Sequence, residues 1–475
     1  MPPPMFRRPL AAALLLAASA AAFARLPGEI HTALDRVKLP PEAVVVVVQE
    51  VGSARNRLAW REAVPVNPAS LTKLVTTYAA LDLLGPAWTW NTPVWLQGTV
   101  SDGVLDGNLV IKGSGDPKLV PERLWLMLRR VQQLGVREIR GDIVLDRGAF
   151  VVPEQNPADF DGEPLRPYNV RADALLLGYR SVLIGFTPDA ARGVALVSLD
   201  PPLAGVGIDA SVPLSAAACG DWRGELRADF SDPLRLRLSG SFPGACGEKT
   251  WPLAYAEPRR YDERMLAGLW REMGGRLAGT VRDGSAPAAP PTFSSASPAL
   301  AEVIRDINKY SNNVMAQQLF LTLGLVRSGR GTPEASRELL QRWLAERIGR
   351  QNAEGVVIDN GSGLSRQTRL SAQQLARLLQ SAWGSAVMPE LLASLPVSGI
   401  DGTLTRSKAP PGRAHLKTGS LRDVAGIAGY VLGASGRRYV VVAIANHANA
   451  GAARPAFDAL VQWVVQDGAS GAVTE

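Results

Sequence analysis

Three short stretches of the chain combine residue types able to carry out acyl transfer. The first is Ser70-Leu71-Thr72-Lys73. Residues three apart on a helix share a face, so the Lys73 amine can reach the Ser70 hydroxyl. A helix N-terminus adds a positive dipole and free N–H groups, which favour an alkoxide and can build half of an oxyanion hole. Desolvation, or a second cation close by, would leave the Lys73 amine neutral enough to act as a base. The second stretch, Ser311-Asn312-Asn313, follows Tyr310 and heads a helical pattern, where Ser311 and Asn313 can place a hydroxyl and an amide in one cleft. The third is Lys417-Thr418-Gly419-Ser420. A Lys and a Thr on a strand edge, with a Gly that lets a ligand backbone approach, make a ledge for a carboxylate. Each stretch taken singly also has an ordinary reading: an N-cap serine with a solvated lysine, a helix cap, and a β-turn.

The surrounding pattern supplies elements to hold them. Residues 44–48 form a β-branched run with a return strand expected at 57–62, after a short helix near 30–37. Leu71, Leu74, Tyr78 and Leu81 lie on one face of an amphipathic helix that Gly85-Pro86 stops. From about 88 to 290 the chain changes character, with short alternating strands and many Gly and Pro turns. Residues 285–297, rich in Ala, Pro and Ser, read as a linker. Helices resume at 300–323 and 334–348, and two strands at 424–432 and 439–444 precede an amphipathic helix at 455–465. No internal repeat is evident.

Composition narrows the class. A chain of 475 residues that is 46% apolar and 20% charged, with 46 Gly and 35 Pro, is no coiled coil, collagen or wholly disordered polymer. At about 150 residues per domain, two to four domains are expected. Two Cys and three His exclude a disulfide scaffold and a zinc ribbon. The net charge of +7 is scattered rather than gathered into a stripe, so no nucleic-acid partner is expected. Residues 1–24 carry Arg7 and Arg8, a small apolar run and Ala22-Phe23-Ala24, the pattern of a cleaved export signal. Cleavage near Ala24 would release a soluble periplasmic protein with at most loose peripheral contact to the membrane. In an oxidising compartment Cys219 and Cys246 are expected to pair, contributing roughly 3–4 kcal/mol by loop entropy.

S-x-x-K, then S-x-N, then K-T-G in this order resembles the motif set of β-lactamases and penicillin-binding proteins. Asn312 stands where the usual middle motif has Asp. The chain most closely resembles the D-alanyl-D-alanine carboxypeptidase/endopeptidase penicillin-binding proteins, in particular the low-molecular-mass type-4 group with a large insert between the first two motifs. Further stretches carry the likeness: Gly113-Ser114-Gly115-Asp116-Pro117, Asp359-Asn360-Gly361-Ser362-Gly363-Leu364-Ser365-Arg366 and Ser398-Gly399-Ile400-Asp401-Gly402-Thr403-Leu404. It spans essentially the whole mature chain, most loosely from about 161 to 255.

The resemblance implies an α/β (α+β) fold: a transpeptidase-like domain with a central antiparallel sheet flanked by helices, plus a β-rich insert forming one or two further domains. The division expected is 25–87 with 291–475 for catalysis, 88–165 with 256–290 for one insert domain, and 166–255 for another. It implies Ser70 as acylated nucleophile and Lys73 as base. Ser311 would relay a proton to the leaving amine, and Asn313 would orient Lys73 and the substrate amide. Lys417 and Thr418 would hold a terminal carboxylate, and backbone N–H groups of Ser70 and Ser420 would form the oxyanion hole beside Gly419. Such a site needs no metal and no cofactor, and its partners would be peptidoglycan stem peptides and β-lactam antibiotics. Asp161 and Glu163, ahead of Tyr168, are candidates to receive the free amine of the stem's diamino acid, although an ordinary solvated loop also accounts for them.

Other readings are open at this stage. Tyr310-Ser311-Asn312 fits the Y-x-N of some serine β-lactamases, where the Tyr assists deacylation. A histidine hydrolase would have to use His415, and no G-x-S-x-G elbow is present. A silent binder of wall peptides would have no use for Ser70 and Lys73.

Overall fold

The computed structural model describes residues 25–467. The expected export signal at 1–24 lies outside them. Val44–Glu50 is the second strand from one edge of a five-stranded antiparallel sheet. Its neighbours are Asn56–Trp60 on one side and Arg438–Asn446 on the other, followed by Val424–Leu432 and then the edge strand Ala414–Leu421. The uninterrupted valines follow from burial on both faces, as in any strand covered twice. Val44, Val46 and Val48 pack with Ile30, Leu34, Phe457 and Leu460 from the helices Gly28–Arg36 and Arg454–Val465. Val45 and Val47 face the opposite way, into a core built with helices that include Thr72–Leu84, Leu300–Lys309 and Ala372–Trp383.

Two elements differ from expectation in an instructive way. The helix Thr72–Leu84 is not amphipathic, because residues 72–81 are all buried. Its Thr76 and Thr77 hydroxyls satisfy themselves on the carbonyls of Gly361 and Lys73, each at 2.7 Å, so polar residues on the outer face of the pattern are tolerated inside. The Ala/Pro/Ser stretch at 285–297 is not wholly linker either. Phe293–Ala296 forms a strand on Asn91–Ser101, with Phe293 opposite Val94. Phe293 and Ser295 are half-buried while Ser294 and Ala296 are exposed, so each face mixes a polar with an apolar residue and the strand leaves no alternation in the sequence.

The inserted region contains a seven-stranded mixed sheet with the helix Pro121–Gln133, a five-stranded sheet (181–254) and a three-stranded sheet. One apolar core runs through all of them, including Leu109, Ile143, Ile184, Phe242 and Trp270. Cys219 and Cys246, 27 residues apart, form a disulfide beside it. The insert grips the core through the helix Asn313–Ser328. Gln318, fully buried, donates to the Asp173 carbonyl at 2.8 Å and accepts from the Asp173 N–H at 2.9 Å, while Trp90 donates to Thr322 at 2.9 Å. Among the described residues no helix is long and apolar enough to cross a membrane.

Candidate active site

Ser70 sits in a single 3-10 turn, Ala69–Leu71, that runs directly into Thr72–Leu84. The turn is held from several sides. Asn67 accepts from the Ala69 N–H at 2.9 Å, donates to the Ser365 carbonyl at 2.8 Å, and exchanges two hydrogen bonds with Asn446 at the end of its strand. Ala69 takes a left-handed φ of 47°, a conformation that costs roughly 1–3 kcal/mol and persists only where the surroundings impose it. Gly363 is among those surroundings: a Cβ there would stand 1.9 Å from the Ala69 carbonyl oxygen, so only glycine lets the 359–366 loop close on the turn.

One helical turn after Ser70, the Lys73 ammonium position is fully buried. Its Nζ donates to Ser70 Oγ at 2.9 Å, Asn313 Oδ1 at 2.6 Å and the Ser362 carbonyl at 2.6 Å. Burial, reinforced by the nearby Lys417 charge, pulls its pKa well below the ordinary lysine value. The amine is therefore disposed to be neutral, with a lone pair for the Ser70 proton.

Ser311 and Asn313 straddle the break between Leu300–Lys309 and Asn313–Ser328. Asn312 caps the second helix by accepting from the Met315 N–H at 3.0 Å, which turns Asn313 and not Asn312 toward Lys73. Ser311 has a left-handed φ of 57° and accepts from Lys417 Nζ at 2.8 Å. Tyr310 is 71% exposed. The frame the structure brings to the two lysines is thus Ser311/Asn313, with Tyr310 pointing to solvent.

Lys417 lies inside the edge strand rather than just before the paired strands, opposite Ala428. It too is fully buried, and burial alone lowers its pKa to about 7. Gly419 brings the strand against the nucleophile turn: a Cβ there would meet the Pro68 carbonyl oxygen at 2.8 Å. Thr418 bonds Thr403 through their hydroxyls at 2.7 Å, and Ser420 is exposed at the same edge. His415 stands half-buried two residues away and touches none of Ser70, Lys73 or Ser311 by hydrogen bond.

Several residues that hold this site were not singled out from sequence: Asn67, Asn446, the Ser362 carbonyl, Thr403 and the ion pair of buried Lys309 with half-exposed Asp401 at 2.6 Å. That pair ties the turn carrying Ser311 to the loop carrying Thr403. The 359–366 and 398–404 stretches were marked by likeness alone, and nothing in their residue types says which backbone oxygen would face a lysine.

Asp161 and Glu163 do not join this cluster. Asp161 is exposed and accepts from Tyr168 at 2.8 Å, Asn169 at 2.9 Å and the Glu163 N–H at 3.1 Å. Burial pushes its carboxyl up, but those bonds together outweigh it and hold the carboxyl below the ordinary range. Their loop does line a cleft of about 350 Å³, through Phe160, Tyr168 and Asn169, facing Ser365 and Arg366. Among the described residues no group of His, Cys, Asp or Glu is arranged to hold a metal ion.

Comparison with known proteins agrees with this geometry. Residues 27–467 match the family described as D-Ala-D-Ala carboxypeptidase 3 (S13). A D-alanyl-D-alanine carboxypeptidase of Actinomadura sp. (strain R39) is 29% identical, over 92% of this chain and 83% of its own. The fold is that of penicillin binding protein 4 (dacB) from Haemophilus influenzae, at a TM-score of 0.71 and 20% identity, covering 91% of this chain and 99% of that one. A penicillin G-acylated predatory endopeptidase from Bdellovibrio bacteriovorus shares the fold at a TM-score of 0.52 and 15% identity, over 90% of this chain and 93% of that one. The chain belongs to the D-Ala-D-Ala carboxypeptidase 3 (S13) family of serine peptidases.

Proposed function

We propose that Ser70 is the nucleophile of a peptidase that cuts D-Ala–D-Xaa bonds in peptidoglycan stem peptides in the periplasm. The observation that carries the reading is a chain of contacts at 2.9 Å or less: Ser70 to Lys73, Lys73 to Asn313, and Ser311 to Lys417. Neutral Lys73 takes the Ser70 proton as Oγ attacks the carbonyl carbon. The oxyanion is received by the backbone N–H groups of Ser70 and Ser420, at the seam that Gly419 closes. Ser311, held by a hydrogen bond from Lys417, relays to the departing amine the proton that Lys73 took up, and Asn313 orients Lys73 and the substrate amide. Water then hydrolyses the ester on Ser70. Cationic Lys417, with Thr418 and Ser420, holds the terminal carboxylate. The sheet pairings support a catalytic unit of 25–87 with 291–475 interrupted by two insert units, except that Phe293–Ala296 pairs into the insert's seven-stranded sheet.

β-Lactams place a carboxylate and a strained amide in the same relation as D-Ala-D-Ala, and one relative of this fold is acylated by penicillin G. Intact mass after incubation with benzylpenicillin tests the reading. The wild type is expected to gain one slowly released adduct, and Ser70→Ala none. An adduct on both proteins, or on neither, would refute it.

A further inference from the structure

The ledge of the edge strand does not end at Ser420. A cleft of about 610 Å³ continues from Thr418, Gly419 and Ser420 along the 402–407 segment to the C-terminal helix. That volume falls in the range of about 300–1,000 Å³ that takes a ligand of several residues, well beyond one alanine. Its charge is also specific. Arg406 and Arg454 both line it, both are exposed, and among the described residues neither makes an ion pair. The only carboxylate in the lining, Asp458, is already engaged: it accepts from the Ser407 hydroxyl at 2.6 Å and the Lys408 N–H at 3.2 Å. The cleft therefore offers two uncommitted guanidiniums and little competing negative charge.

Its position gives it a direction. If Thr418 and Ser420 hold the carboxylate of the residue that leaves, whatever lies past them contacts the rest of the leaving group. For a terminal D-alanine there is no such remainder. For a cross-link the remainder is a second stem peptide, which carries further carboxylates. We infer that the Arg406/Arg454 cleft binds the carboxylate-bearing second stem of a cross-linked substrate and sets the preference for cross-links over free termini. This rests on the reading of Ser70 as the acylated serine.

The test uses two substrates on the full mature chain: a stem monomer ending in D-Ala-D-Ala and a cross-linked stem dimer. The double variant R406Q/R454Q is expected to lower the dimer-to-monomer ratio of kcat/KM about tenfold, chiefly through KM on the dimer. A ratio within twofold of wild type overturns the inference, as does a wild type that cuts the monomer and leaves the dimer intact. A second measurement needs no variant. Wild type given a dimer whose second-stem carboxylates are amidated is expected to lose about tenfold in kcat/KM, and equal rates on both dimers overturn the inference. Failure of the Ser70 reading looks different: no benzylpenicillin adduct forms and neither substrate is cut.

Discussion

Two regions of this protein bury positive charge, and they do so in opposite ways. At the insert, the Arg147 and Arg180 guanidiniums meet three carboxylates: Asp262 at 2.6 and 3.0 Å, Asp173 at 2.9 and 2.7 Å, and Asp283 at 2.9 Å from Arg147. Burial pulls both arginines down, but Asp262 and Asp173 hold them above their ordinary value. Burial pushes the Asp262 carboxyl up, and the two guanidiniums oppose it. At the catalytic seam Lys73 and Lys417 are equally buried, yet neither has an acid within ion-pair distance. Only neutral oxygens accept from them among the described residues, and the Lys417 charge adds to the cost of charging Lys73. Balanced burial keeps groups charged and joins elements together, whereas unbalanced burial drives a lysine towards its neutral, nucleophile-activating form. Arginine suits the first task because it stays charged, and lysine the second because it can give up its proton.

Three substitutions press on that contrast, in falling order of their effect on acylation by benzylpenicillin. Lys73→Met removes the proposed base and is expected to cut the acylation rate by about 10³-fold or more. Because the group lost is a buried amine with no counter-charge, unfolding free energy should move by no more than about 2 kcal/mol. Adduct formation over time and a denaturant titration read both quantities. A large loss of stability would mean Lys73 is structural after all.

Lys417→Met is expected to slow acylation about 10²-fold and also to displace the pH profile. The Lys417 charge helps to depress the Lys73 pKa, and the unprotonated Lys73 is the active form. Removing that charge lets Lys73 hold its proton to higher pH, so the acid limb of the acylation rate should move upward. A limb that stays in place or moves down would contradict the coupling. Asp262→Asn belongs to the other region. It leaves two buried guanidiniums short of a counter-charge, and about 3–5 kcal/mol of stability should be lost in a denaturant titration. Acylation by the folded protein should stay within about twofold of wild type. A tenfold drop would show that the insert's ion cluster tunes the catalytic seam.

The clustering of Ser70, Lys73, Ser311, Asn313 and Lys417 was legible in the sequence because they lie in short motifs whose internal spacing already encodes geometry. Ser70 and Lys73 stand three positions apart, an offset of about one helical turn. The choice between Asn312 and Asn313 was also within reach, since an Asn before a helical run is a natural cap. What sequence could not reveal are pairings across long separations. Arg147 meets Asp262 across 115 residues and Asn67 meets Asn446 across 379, and no local pattern marks either. Phe293–Ala296 was hidden for another reason, since its Phe-Ser-Ser-Ala sequence sits in a stretch biased to Ala, Pro and Ser and shows no alternation of its own. The all-round burial of residues 72–81 escaped because threonines read as polar until their carbonyl partners are known.

The edge strand carries a further consequence. An unpaired β-edge invites any extended chain to add itself, including a neighbouring copy in a crowded compartment, and proteins usually blunt such edges. Here the start of Ala414–Leu421 is shielded: Leu416 N–H donates to the Pro396 carbonyl and Ser398 N–H to the Ala414 carbonyl, each at 2.9 Å. From Lys417 onward no strand pairs on that side among the described residues. The exposed remainder is a few residues long, begins with a buried cation and is interrupted by a glycine, which makes it poor seed for self-association. The same open rungs that a peptide substrate would need are kept too few for a second copy of the chain to hold.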